Sequence, residues 1–382
     1  MKTIRVLHVI KTLSLGGAET NLFNLVSAMG RGEHHVAYSF GGQIESRFKK
    51  RGVRLYKYAD GSHKIKSLAT PLVVGRLARY ILANDIRVVH THIFNAHVWG
   101  ALAAKLTGRK LVEHVHDFRY IDRAARESGR CFVDQYRYAE KMKNVSDGVI
   151  LLTEQNREYV LAHRLCAPEK VWLIRNGIRI AGPGAPTPDG VRERLALPPG
   201  GPVFLTPARM SPEKNINLLF EVVPRVVREC PQARFLAVGD GPFLETYRRK
   251  AVGEGLEAYL RFTGFEPDIR GLLGVSTAFV LPSFLELHPV SLLEALSMKV
   301  PAVVSESAGC NREVLTHGKN AFLLDPHSPD EWAAVLVGLA RDPGLGRAMG
   351  EEGYELCRRE FDIEKTAARI GGVYEKVLAG PS

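Results

Sequence analysis

NGIRIAGPGAPTPDGVRERLALPPGGPVFLTPARMSPEKNINLLF, residues 176–220, is the stretch whose reading decides the fold. Between Asn176 and Pro202, glycine and proline are dense enough to interrupt both helix and strand. Proline lacks the amide hydrogen that either element needs, and glycine loses the most backbone freedom on ordering. At Val203 the pattern restarts: an apolar run, Val203–Thr206, then a polar loop carrying Arg209 and Lys214, then a helical stretch. A chain that breaks and then resumes with strand, loop and helix has a domain hinge at the break. The expected division is residues 1–178 and 179–360, with the last helical stretch, about 361–380, crossing back onto the first domain.

The same grammar runs outward in both directions. Before the hinge, strand-like runs fall at Ile4–Ile10, His35–Phe40, Val53–Tyr56, Arg87–His90, Lys110–Val115, Gly148–Leu152 and Val171–Ile174, with helical segments between them. After it come Val203–Thr206, Arg234–Val238, Leu260–Gly264, Ala278–Leu281, Ala302–Ser305 and Ala321–Leu324. Short apolar runs alternating with helices predict parallel sheets covered on both faces. The expectation is therefore α/β: two Rossmann-like, doubly wound domains facing each other across a cleft. A length of 382 residues suits two domains of roughly 100–200 residues each. Pro329–Leu339, Leu345–Arg358 and Ile363–Leu378 read as consecutive amphipathic helices without strands between them.

Composition narrows the class. Hydrophobic residues at 45% and charged residues at 24% are the balance of a water-soluble globular chain. No apolar run approaches the ~20 residues that cross a bilayer, and Lys11 interrupts the apolar start, so no cleaved leader is expected. The five cysteines stand singly, without a CxxC pair, which suits a reducing cytoplasm and argues against structural zinc. The net charge of +11 is uneven: residues 1–176 carry 29 lysines and arginines against 15 acidic residues. Arg47, Lys49, Lys50, Arg51, Arg54, Lys57, Lys64 and Lys66 form one concentration. It is either a solvated face or a surface for anionic lipid, with the protein docking on the inner face of a membrane. Nucleic acid is not expected as a partner.

Four groups of residues carry candidate chemistry. Gly16-Gly17-Ala18-Glu19 follows the first strand and opens a helix, where missing Cβ atoms and free amides let a phosphate or sugar approach. The motif lacks the full G-x-G-x-x-G spacing, and a nicotinamide cofactor is disfavoured. Arg209 and Lys214 follow the first strand of the second domain, at the end of a sheet where ligands bind, and two cations there fit a diphosphate. In LPSFLELHPVSLLEALSMK, Glu286 and Glu294 flank Pro289, taken as a first helical residue. Glu294 then lies in an otherwise apolar face, where only a hydrogen-bonding partner such as a ribose diol makes it affordable. Finally, His90, His92 and His97 follow one strand, and His114, His116 and Asp117 end another. Helical metal spacings are absent, so no metal is assigned to them, and His116 is read as a sugar-binding group.

Taken together, these pieces resemble the large retaining glycosyltransferase family known as group 1 or family 4, of the GT-B fold. The resemblance rests on the glycine loop, Val115-His116-Asp117, Asn176-Gly177-Ile178, the Arg209 to Lys214 segment, Val238-Gly239-Asp240-Gly241-Pro242, the Glu286/Glu294 pair and Pro301-Ala302-Val303-Val304-Ser305. It implies that Arg209, Lys214, His288, Pro289 and Val290 meet the donor diphosphate, and that Glu294 binds the ribose. It places Glu286 at the donor sugar near its reacting carbon, with His116 hydrogen-bonding that sugar, and Gly239 and Phe265 in the nucleotide-base region. Gly16 and Gly17 would line the acceptor side. It further implies a nucleotide-sugar donor, with a UDP-sugar expected, no cofactor, no metal, and a glycan, lipid-linked or small-molecule acceptor in cell-surface polysaccharide or glycolipid synthesis. Two positions depart from the family: Leu287 and Ala321 stand where glycine is usual. Leu287 motivates the alternative of a non-catalytic nucleotide-sugar-binding or assembly protein on the same fold.

Overall fold

The computed structural model describes residues 4–14, 16–29, 33–59, 70–117, 144–180, 190–306 and 309–380. The chain divides into two compact units, Met1–Gly177 with Ile363–Ser382, and Ile178–Asp362. The first holds a seven-stranded sheet: β1 (Val6–Val9), β2 (His34–Tyr38), β3 (Arg54–Lys57), β4 (Val88–His92), β5 (Lys110–His114), β6 (Gly148–Leu151) and β7 (Val171–Leu173). Its order is β3-β2-β1-β4-β5-β6-β7, with every pairing parallel. The second holds β8 (Val203–Pro207), β9 (Arg234–Val238), β10 (Leu260–Gly264), β11 (Ala278–Leu281), β12 (Ala302–Ser305) and β13 (Phe322–Leu324), ordered β10-β9-β8-β11-β12-β13 and also all parallel. Each run expected to be a strand is one, with ends shifted by at most a few residues.

Both sheets obey one rule. The chain starts in the middle, winds outward to one edge, and returns to build the other half, so the winding reverses between β1 and β4 in one unit and between β8 and β11 in the other. The carboxyl ends of the strands flanking such a reversal are the standard ligand position in open α/β sheets. Strands buried on both faces explain why the runs are continuously apolar rather than alternating: β8, β11 and β12 are buried at every residue.

In the second unit the core has two layers. Phe204, Phe235, Val280 and Val303 pack against the helices Asn217–Glu229 and Pro329–Arg341 on one face. Leu205, Leu236, Phe279 and Val304 pack against the helix Val290–Ser297 on the other. In the first unit the C-terminal helix Ile363–Ala379 lays Ile363, Ala367, Ile370, Val373, Tyr374 and Val377 over Val6, Val88, Val112 and Ile150. The backbone enters the second unit at Ile178, whose amide donates to the Phe361 carbonyl at 2.8 Å, and Ile178 bridges Asp362. Among the described residues no helix is long and apolar enough to cross a membrane.

Candidate functional site

In the second unit the loop after β8 and the loop after β11 meet at the point of reversal. Ala208 to Ser211 leads into a 3-10 turn, Pro212–Lys214, closed by Asn215 in the left-handed region at φ 51°. The Phe284 amide donates to the Glu213 carbonyl at 2.9 Å, tying the two loops together. Lys214 Nζ then donates to Glu286 Oε1 at 2.6 Å, and Ser283 Oγ donates to the same oxygen at 2.8 Å. The pair is largely out of water, with Lys214 18% and Glu286 8% exposed at the side chain. A charge-assisted contact so enclosed holds both groups in place and is broken only by a ligand that offers equivalent partners. Arg209 is exposed, and its side chain has no hydrogen-bond or ion-pair partner among the described residues.

The glycines after β9 have a steric purpose. Gly239 has φ 142°, and a Cβ there would lie 2.1 Å from the Ala208 carbonyl oxygen; at Gly241 it would lie 2.6 Å from that of Met210. The backbones must touch because the Ala208 amide donates to the Val238 carbonyl and the Met210 amide to that of Asp240. Gly239 thus braces the Arg209 loop from behind. Phe265, assigned with Gly239 to the nucleotide-base region, is 38% exposed.

Pro289 is the N-cap of the helix Val290–Ser297, extended at φ −69° and ψ 124°, and not its first helical residue as the sequence suggested. The ring fixes φ at a value the cap accepts, while the following amides have no side-chain cap and keep the donor capacity of a helix start. His288 is buried, its ring edge-on to Phe361 at 4.9 Å. Leu292, Leu293, Ala295 and Leu296 are fully buried, whereas Glu294 is half-buried. The carboxylate therefore lies beside the apolar face, where water still reaches it, and not inside that face as expected. Arg270, whose pKa is raised chiefly by its hydrogen bonds to Asp268, also feels the Glu294 charge. Leu287 is buried, and its φ is not positive. The position needs no glycine conformation, so leucine carries no backbone penalty there.

The first unit builds its point of reversal differently. Gly16 is the extended N-cap of the helix Gly17–Ala28, and a Cβ on it would meet Glu19 Oε2 at 2.5 Å, while a Cβ on Gly17 would meet nothing. Glu19 is buried, and burial raises its carboxyl pKa to about 7 against the partial relief of its own backbone amide. At the end of β4, Ile93 adopts φ 59°, a strained value for a β-branched residue, as the chain turns into the helix Phe94–Leu106.

Between these turns the sheet is lined with imidazoles. The register pairs His8 with His90 and His92 with His114, so their side chains share one face, the face covered by the C-terminal helix. His34 Nδ1 meets His8 Nε2 at 3.0 Å, His8 Nδ1 meets His92 Nε2 at 3.1 Å, and His92 Nδ1 meets His116 Nε2 at 3.2 Å. Four rings thus form a head-to-tail chain that ends at His116, which is half-buried beyond β5 and stacked on His114 at 4.0 Å. Desolvation, aided by neighbouring rings, holds His8, His90, His92 and His114 well below the ordinary histidine pKa, and His34 at about 4. His97 lies apart from this chain, with Nδ1 2.6 Å from Thr91 Oγ1 and 3.5 Å from Glu113.

Two family profiles tile the chain: the one described as "Glycosyl transferases group 1" matches residues 189–356, and "Glycosyltransferase Family 4" matches residues 15–181. The chain belongs to the group 1, family 4 glycosyltransferases. Within that family, the Escherichia coli enzyme described as UDP-Gal:alpha-D-GlcNAc-diphosphoundecaprenol alpha-1,3-galactosyltransferase is 27% identical over 294 residues, 75% of this chain and 74% of its own. Among solved structures, Anabaena HepE, crystallised with UDP and glucose, superposes with a TM-score of 0.84 at 21% identity, covering 98% of this chain and 100% of its own. Sucrose-phosphate synthase from Thermosynechococcus elongatus does so with a TM-score of 0.80 at 18% identity, covering 99% and 100%. These likenesses establish the GT-B pair of Rossmann-like domains for this glycosyltransferase.

Of the candidate residues, the structure joins Lys214 directly to Glu286, in loops that also carry Arg209 and lead into the helix start at Val290. Gly239 acts on this group through Ala208. Sequence reasoning missed Ser283, three residues before Glu286 and sharing its carboxylate, and it missed His8 and His34. Each of those histidines is isolated from its partner in sequence and is brought to it only by strand pairing. Of the basic cluster, Lys49, Lys50, Arg51, Arg54 and Lys57 are exposed, and Lys49 pairs with Glu45 at 2.6 Å. Lys64 and Lys66 lie outside the described residues.

Proposed function

We propose that this glycosyltransferase moves a sugar from a nucleotide-diphosphate sugar to an acceptor, retaining the anomeric configuration and using no metal in the reaction. The observation that carries the proposal is the enclosed Lys214–Glu286 contact of 2.6 Å beside Arg209 and an uncapped helix start. A diphosphate bound there would take Lys214 and Arg209 as counter-charges and the amides around His288, Pro289 and Val290 as donors. Lys214 would turn to the phosphate, leaving the Glu286 carboxylate, held by Ser283, to accept from the hydroxyls of the sugar. Glu294 is assigned to the ribose diol, and Phe265 with Gly239 to the base. In the first unit, His116 is assigned to sugar hydroxyls, and Gly16 and Gly17 to the acceptor side.

The leaving diphosphate gathers charge as the glycosidic bond breaks, and two cations answer that charge without a metal. The departing phosphate oxygen takes the acceptor's proton on the same face, which gives retention without a protein nucleophile. A uridine donor is supported by the donor named for the E. coli relative and by the ligand of HepE. A glycan or lipid-linked acceptor in surface polysaccharide synthesis is the preferred class. Exposed Lys49, Lys50, Arg51 and Arg54 would bring the enzyme to an anionic inner leaflet at ~1 kcal/mol per well-placed charge. Salt should then release it from phosphatidylserine vesicles, and partitioning indifferent to salt would count against docking. The positive-φ test at Leu287 gives no support to a merely binding protein.

Donor hydrolysis without acceptor tests the proposal. Slow release of UDP from UDP-sugars, abolished in Glu286→Ala and unchanged by added Mg2+ or Mn2+, is expected. Tight UDP-sugar binding with no turnover across an acceptor panel would overturn it.

A further inference from the structure

The histidine chain contains an arrangement that hydrogen bonding alone does not satisfy. His8, His90 and His92 are each fully buried, and one nitrogen from each lies within 4.8 Å of the others. His8 Nδ1 and His92 Nε2 face each other at 3.1 Å, and His90 Nε2 is buried with no hydrogen-bond partner. An orphaned ring nitrogen in a dry interior is costly, and native structures rarely leave one without an ion or a water. The remaining nitrogen of every one of these rings is occupied. His8 Nε2 pairs with His34 Nδ1 at 3.0 Å, His92 Nδ1 with His116 Nε2 at 3.2 Å, and His90 Nδ1 with the Tyr374 hydroxyl at 2.6 Å.

That pattern is the one metal-ligating histidines show: one nitrogen turned inward, the other donating its proton to an outer partner that fixes tautomer and ring direction. We infer that His8 Nδ1, His90 Nε2 and His92 Nε2 form a binding site for a zinc-type divalent transition-metal ion. Nitrogens bound at about 2.0–2.1 Å in tetrahedral geometry stand about 3.3 Å apart, close to the observed 3.1 Å. Three imidazoles leave one position for water, and a zinc-bound water ionises near pH 7, which lowers the net charge brought into the core. The second triad, His92, His114 and His116, is less suited, because both nitrogens of His114 lack hydrogen-bond partners and so its ring has no outer partner.

The ion would be structural. It would join β1 to β4 and, through Tyr374, hold the C-terminal helix on the sheet, while leaving the reaction to the groups assigned above. It would also fix the tautomers outward: His92 donates from Nδ1, so His116 accepts at Nε2 and carries its own proton on Nδ1.

Titrating chelator-treated full-length protein with Co2+ tests the site. One equivalent should bind, with visible ligand-field bands, be displaced by Zn2+, and raise the melting temperature. His8→Ala and His90→Ala should abolish the bands, whereas Tyr374→Phe and His116→Ala, which each remove an outer partner, should keep the bands and weaken binding by about tenfold. Undiminished binding in His8→Ala/His90→Ala, or bands lost in His116→Ala but kept in His90→Ala, would overturn the assignment. Should the strand variants fail to fold, crystals of the unmutated protein grown with Zn2+ decide it. An anomalous peak among His8, His90 and His92 supports the site, and a peak elsewhere or none refutes it.

Discussion

The two sheets share one winding order and part company at the reversal point. In the second unit the strands there, β8 and β11, are apolar apart from Thr206, and the charged groups begin only in the loops with Arg209, Lys214 and Glu286. In the first unit polarity runs down into the sheet itself, through His8, His90, His92 and His114. A dry strand pair beneath polar loops is a rigid platform for a charged ligand. A strand pair carrying buried imidazoles is instead a set of neutral groups whose protonation the fold must suppress. The same topology therefore carries its charged groups on loops in one unit and a cluster of imidazoles in the core of the other.

The largest effect that should separate the units is acid sensitivity in metal-stripped protein. Buried imidazoles resist protonation when folded but take up protons from about pH 6.5 downward when unfolded. Their contribution to stability is therefore complete above pH 6.5 and is lost as pH falls toward about 4. His34 alone, held at about 4, accounts for about 3 kcal/mol, and His8, His90, His92 and His114 act in the same direction. Fluorescence of Trp332→Phe, whose remaining tryptophans Trp99 and Trp172 both lie in the first unit, should show that unit unfolding first as pH drops. Simultaneous loss of both units would erase the contrast.

The next effect falls on the other side of the comparison. Glu286→Ala should lower turnover by about 10²–10³, as loss of a preorganised charged group does, while leaving the first unit's melting unchanged. Lys214→Ala should act in the same direction and weaken UDP binding. A smaller effect sharpens the first unit again. Burial raises Glu19 to about 7, so its stabilising protonation is complete below pH 4.5 and is lost as pH rises through about 7. Glu19→Gln should therefore stabilise the protein by up to about 3 kcal/mol at pH 8 and change little at pH 4.5, measured by urea denaturation. The smallest is Glu294→Ala, expected to reduce discrimination between ribose and deoxyribose donors by about tenfold, the worth of one hydrogen bond to a charge. Unaltered discrimination would remove Glu294 from the ribose.

What sequence made legible follows from which forces are local. Strand positions were readable because both-face burial writes continuous apolar runs, and the hinge because glycine and proline are unambiguous breakers. The place of Arg209 and Lys214 in the loop just beyond a strand's carboxyl end is legible because topology sets it. The histidine cluster was not readable, since His8 and His34 acquire their partners through strand pairings 84 and 26 residues away. The depth of Glu294 was misjudged for a related reason: the sequence shows leucines on both sides of it but not how much of the helix the neighbouring elements cover.

One feature of the backbone has a use for protein engineering. Because Ile178 is hydrogen-bonded to Phe361 and bridged to Asp362, the segment between them begins and ends at a single seam. A piece with adjoining ends can be excised as one cassette or grafted into another scaffold without spanning a gap. Chimaeras joined at that seam would carry the second sheet over as one unit while the remaining two stretches of chain keep their own sheet intact.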